Sequence, residues 1–106
     1  MKVEKIILTL DEMKENSVSE EVKIVWLNEV EGRVECEIRG KKPEEFVPLT
    51  SGEDTLSLPE PYSRAYLLYL CAMIAFAKGD YELYSKGIID YETAFSEYAR
   101  YYIRSR

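Results

Sequence analysis

From Tyr81 onward, aromatic and apolar residues recur at Tyr81, Tyr84, Ile88, Tyr91, Phe95, Tyr98 and Tyr102. The steps alternate between three and four. That is an uninterrupted heptad seam, the pattern of a helix packed lengthwise against another helix. A strand would show a period of two instead, so this stretch commits the last third of the chain to helix. The residue type constrains it further. Leucine would fill a buried seam and leave nothing to bond, whereas each buried tyrosine needs a partner for its hydroxyl. A tyrosine at a boundary keeps its ring dry and its oxygen wet, and tyrosine is enriched where proteins meet. The seam therefore predicts a half-buried face, shared between the preceding helix and another subunit. Tyr101 lies off it, beside Tyr102.

The partner helix is legible just upstream. Ala65–Ala77 is apolar nearly all round, which places a helix in the middle of a core. Pro59 and Pro61 precede it, where proline suits a first helical turn. Gly79 ends it and Asp80 caps the next, so the two helices are antiparallel neighbours. Nearer the start, Val3, Ile6, Ile7, Leu10 and Met13 share one helical face. That pattern outweighs the strand reading that the paired isoleucines favour locally. A second helix starts at Ser17 or Ser19, each with glutamates placed to cap it, and stops near Gly40. Its stripe is Leu27, Val30, Val34 and Ile38, widened by Val22 and Trp26.

Between them, residues 41–59 lose regularity and hold three of the four prolines, with the fourth, Pro61, just beyond. A small β-hairpin with Thr50–Asp54 as its turn suits this segment, with Pro48 confining one arm to an edge. So long a connection in so small a chain is usually functional or mobile. The expected architecture is one all-α domain of about four helices over 1–106. It comprises two N-terminal helices in 1–40, an irregular excursion over 41–59 and an antiparallel helical hairpin in 60–106.

Charge and composition exclude several functions. Twenty acidic residues against 14 basic ones give a net charge of −6, which disfavours nucleic acid and anionic lipid alike. Arg100, Arg104 and Arg106 complement the dipole of the last helix better than they make a nucleic-acid site. The opening residues carry no secretory signal, and Ala65–Ala77 is shorter than the roughly 20 residues a membrane span needs. Cys36 and Cys71 stand far apart and read as free thiols of a reducing cytosol.

There is no histidine, so the commonest general base and metal ligand is missing. The five glycines stand singly, which excludes a phosphate-cradling loop. Carboxylates remain. Glu31 with Glu35, or Glu82 with Asp90, could meet on helix faces, and Ser51–Asp54 lacks the alternating acids of a calcium loop. All of these read as solvated surface. No enzyme, cofactor or metal is expected.

Two blocks carry a family resemblance. Ser19–Ile38, SEEVKIVWLNEVEGRVECEI, resembles the Ser-Glu-Glu-x-Lys-x-x-Trp-Leu helix of a small protein family from phages and prophages of Gram-positive bacteria. Leu58–Arg104 is similar to that family's second half. There a Pro-x-Pro-Tyr start precedes a tyrosine-rich helix, a Lys-Gly-Asp-type turn and a final helix of regularly spaced aromatics. Tyr91-Glu92 stands where the family often has Phe-Asn. Together the blocks span about two thirds of the chain.

The resemblance implies a virion structural protein, a head–tail connector or head-completion component. It also implies a portal or neighbouring connector as partner and rings of copies on the portal. Its places would be the host cytoplasm during assembly and then the virion. The interaction residues expected on this reading are Tyr81, Tyr84, Tyr91, Tyr98, Tyr101 and Tyr102, with Phe46 and Leu49 in the excursion. A general helical interaction module is the alternative, and a carboxylate metalloenzyme a remote one.

Overall fold

The computed structural model describes all 106 residues, and it is helical throughout, with no strand. Four α-helices follow in order: α1 (Val3–Met13), α2 (Glu20–Arg33), α3 (Arg64–Ala77) and α4 (Tyr81–Arg104). A π-helical turn, Val34–Ile38, prolongs α2, and a short 3-10 turn spans Pro43–Glu45. No helix is long and apolar enough to cross a membrane.

Local chemistry sets the boundaries. The Ser19 hydroxyl accepts from the Val22 N–H at 3.2 Å, with Glu20 and Glu21 in the first turn of α2. Gly40 and Gly79 carry φ of +78° and +80°, so each ends its helix in the left-handed region open to glycine. Asp80 then accepts from the Leu83 N–H to start α4.

α3 runs through the middle, burying Ala65, Tyr66, Leu70, Ala72, Ile74 and Ala75. α1 contributes Val3, Ile6, Ile7 and Leu10, α2 contributes Leu27 and Val30, and the π-helical turn adds Val34. Met13, on the predicted face of α1, is 63% exposed in its last turn. α4 lies along α3 so closely that a Cβ at Gly87 would stand 3.0 Å from the Ala72 Cβ.

The excursion does not form the expected β-hairpin. Its turn exists: the Asp54 carboxylate accepts from the N–H groups of Thr50 at 2.7 Å and Ser51 at 3.1 Å. Its arms pair elsewhere. Asn28 of α2 takes both backbone groups of Leu49, accepting from its N–H at 2.7 Å and donating to its carbonyl at 3.1 Å. The returning arm serves the start of the chain. Val3 and Glu4 donate to the carbonyls of Asp54 and Gly52, and Leu56 donates to Met1. The first N–H groups of a helix lack acceptors of their own, and this arm supplies them. Only Lys2 and Thr55 make a bridge of the β type. Leu56 and Leu58 enter the core, 4% and 1% exposed.

Candidate functional site

The seam predicted for α4 is answered by a second heptad row on and just before α3. Tyr62, Tyr69 and Phe76 face Tyr98, Tyr91 and Tyr84, with ring centroids 5.3, 4.8 and 5.0 Å apart. Each pair is centred in sequence on Asp80, as an antiparallel hairpin folded at that residue requires. Offset and edge-on contacts of this kind contribute beyond the area they bury.

The hydroxyls of Tyr69, Tyr91 and Tyr98 in this ladder, and that of Tyr66 beside it, are met by charged residues of α2 and the turn that prolongs it. The Tyr91 hydroxyl accepts from Arg33 Nη1 at 3.3 Å, and the Tyr98 hydroxyl from Arg39 Nη2 at 3.0 Å. Tyr69 donates to Glu29. Tyr66, fully buried, donates to Glu31 and accepts from the Leu58 N–H at 2.8 Å. Arg33 completes its fork with Glu92 at 2.8 Å and Glu37 at 2.9 Å, and its guanidinium lies 4.0 Å from the centre of the Phe95 ring. Every buried side-chain nitrogen and oxygen has a partner.

Glu31 and Glu35, expected as solvated surface, are instead 3% and 8% exposed. Their cost of burial is met by hydrogen bonds. Glu31 accepts from the Ser57 N–H at 2.9 Å as well as from Tyr66. Glu35 accepts from the Ser57 hydroxyl at 2.7 Å, with Arg39 at 3.3 Å and Lys41 at 3.2 Å. The pair therefore fastens the returning arm of the excursion to α2.

Electrostatics follow from these contacts. Burial alone would raise the Glu35 carboxyl, but the Ser57 hydroxyl and the Lys41 and Arg39 charges hold it below its ordinary range. Burial, then the negative charge of Glu31, pushes the Tyr66 phenol far up. Tyr69 moves up through burial and its bond to Glu29, and burial takes Tyr91 up to about 12 against the opposing charge of Arg33. Burial opposes the charge on Arg33, yet its bonds to Glu37 and Glu92 raise its guanidinium overall. Near the start of α2, Lys23 is buried against Asp11 of α1 at 2.7 Å, which lowers the Asp11 carboxyl.

The expected interaction residues divide into groups. Tyr91 and Tyr98 are buried within the chain, 1% and 2% exposed, so neither offers a surface to a partner. Tyr84 and Tyr102 are half-buried, as are Phe46 and Leu49. Tyr81 and Tyr101, at opposite ends of α4, stay outside at 61% and 41%. Val47, not singled out from the sequence, is 82% exposed beside Phe46.

The missed residues had a signal. Glu29, Arg33 and Glu37 form one row at four-residue spacing, and Glu31, Glu35 and Arg39 another, on either side of the α2 stripe.

Cys36 and Cys71 are free, half-buried thiols, and burial raises the Cys71 thiol. No three carboxylates or thiols converge in a way that could hold a metal ion. The arrangement joins helices through paired aromatics and matched charges. No protein-family model matches the chain, and no curated protein or solved structure matches it either.

Proposed function

We propose that this chain is a non-enzymatic phage or prophage virion structural protein, a head–tail connector or head-completion component. It acts by protein–protein contact with a portal or neighbouring connector protein, in the bacterial host cytoplasm during assembly and then in the virion. The resemblance of Ser19–Ile38 and Leu58–Arg104 to that family supports the specific assignment.

One structural observation carries the assembly reading. The groups with chemical potential, Glu31, Glu35, Tyr66 and Tyr69, are engaged in joining α2 to the hairpin and the excursion. The large apolar groups left outside are spread over the helices and the excursion, and among them are Val47 on the excursion arm and two tyrosines, Tyr81 and Tyr101, near the ends of α4. Exposed aromatics at the rim of a rigid body suit docking better than turnover.

The test is co-sedimentation with portal rings or connector assemblies from the same genome, together with particle completion in a strain lacking the gene. The wild-type chain binds and restores completion. Val47→Asp with Tyr81→Asp weakens binding while circular dichroism stays unchanged. A wild-type chain that binds neither assembly, with particles completed in its absence, overturns the proposal. Deleting the excursion is a poor test, because Leu56 and Leu58 belong to the core.

A further inference from the structure

The outer face of α4 is organised about Ser96. Ile89 and Ile103 lie seven residues to either side of it, each 67% exposed, and Glu92 and Arg100 lie four residues to either side. At 3.6 residues per turn, the isoleucines fall within about 20° of the Ser96 direction and the charges about 40° to opposite sides. Ile89, Glu92, Ser96 and Arg100 are among the lining of an open trough of about 420 Å³ along this face.

A two-fold axis through Ser96, perpendicular to the helix, carries each position onto the one equally far beyond it. A second chain related by that axis lays its α4 antiparallel to the first. Ile89 of one copy then meets Ile103 of the other, and Glu92 meets Arg100, each pairing occurring twice. Ser96 meets its own counterpart where the helices cross, and its small side chain lets their axes approach to about 8 Å. Apolar groups face apolar, acid faces base and small faces small, all at matching offsets from one residue.

We propose that the outer face of α4 is a self-complementary docking surface for a second copy of this chain, packed antiparallel about Ser96. The charges are free to take part. Arg100 makes no ion pair within its own chain. Glu92 meets Arg33 from one side, and its side chain remains 48% exposed to a second cation. A face shaped for an unrelated protein has no reason to be symmetric in chemistry about one of its own residues. This pairing does not rest on the connector assignment, since a chain that docks only on a portal would fail the test below and leave that assignment untouched.

Sedimentation equilibrium and single-cysteine cross-linking, both on full-length chain with Cys36 and Cys71 replaced by serine, decide it. Ser96→Cys lies on the axis and forms a disulfide-linked dimer. Glu82→Cys lies about 21 Å from the axis, so its two copies sit about 42 Å apart and do not link. Ile89→Cys links to Ile103→Cys on mixing, more readily than either links to itself. Arg100→Glu sets like charges together twice and weakens the dimer about tenfold, whereas Arg100→Lys keeps it. A chain that stays monomeric to about 1 mM leaves this face to solvent or to a different protein and overturns the proposal. Equal cross-linking of Ser96→Cys and Glu82→Cys, or an Arg100→Glu chain that dimerises as tightly as the wild type, overturns it as well.

Discussion

Tyr69 and Tyr91 meet halfway along the hairpin with ring centroids 4.8 Å apart, and their hydroxyls leave that contact toward opposite charges. Tyr69 donates to Glu29, while Tyr91 accepts from Arg33. The contact joins α3 to α4 by packing and both to α2 by polarity. Because Tyr91 and Phe95 are 1% and 6% exposed, truncating either to alanine should destabilise the chain by about 3–5 kcal/mol. Ile89→Ala, on the open face of the same helix, should change stability by less than about 0.5 kcal/mol. Urea unfolding of dilute protein compares them.

Asn28 holds the excursion by its backbone, through both the N–H and the carbonyl of Leu49. Asn28→Ala should cost about 1–2 kcal/mol, because two partly buried backbone groups lose their partner. Its local effect is more telling. Hydrogen exchange at the Leu49 amide should accelerate while the amides of α3 keep their protection. Unchanged exchange at Leu49 would mean that Asn28 does not anchor the arm.

Gly87 is where α4 comes closest to α3. A Cβ there would stand 3.0 Å from the Ala72 Cβ and 3.3 Å from its Cα, and the latter is backbone that cannot swing aside. Alanine normally stabilises a helix relative to glycine by about 1 kcal/mol. Gly87→Ala should instead destabilise by about 1–3 kcal/mol through forced separation of the helices. Gly87→Ala combined with Ala72→Gly removes the Cβ contact but not the one to Cα, and should recover only part of that loss, as thermal unfolding would register.

The phenols predict an alkaline limit. Tyr91 ionises at about 12 in the folded chain against an ordinary value of 10.0, and Tyr66 and Tyr69 shift the same way. A group raised on folding stabilises fully below its unfolded value and loses that contribution as pH rises through the folded one. Stability should thus decline above pH 10, with phenolate absorbance from these tyrosines appearing together with unfolding. At the acid end the depressed Asp11 and Glu35 carboxyls act in the opposite sense. Their stabilisation is complete above the ordinary carboxylate range and is lost as pH falls through their lowered values. Phenolate absorbance from all nine tyrosines while the helical signal persists would contradict the burial of Tyr66.

The helices were legible because repeating patterns announced them. The α4 seam, the apolar run of α3 and the Gly79–Asp80 junction gave the antiparallel hairpin, and Ser19 and Gly40 bounded the second helical segment. What stayed hidden depended on contacts between segments. The odd-numbered charges from Glu29 to Arg39 look solvated in one dimension, and only the approach of the hairpin turns Glu29, Glu31, Arg33 and Arg39 into partners for phenols. Likewise Leu56 and Leu58 sit in a proline-studded stretch without periodicity, so nothing local marks them as core. The tyrosine seam predicts a face shared between the preceding helix and another subunit, and Tyr62, Tyr69 and Phe76 supply the matching rings on and just before that helix.

Matched pairing of the hairpin's tyrosine hydroxyls with α2 charges, inside one chain, is tested most directly by a double-mutant cycle on Tyr66 and Glu31. Tyr66→Phe, Glu31→Ala and the double variant are compared by urea unfolding at low protein concentration. The two losses should fall short of additivity by about 1–3 kcal/mol, because each single change leaves the other group without its buried partner. Losses that add to within about 0.3 kcal/mol would contradict the account.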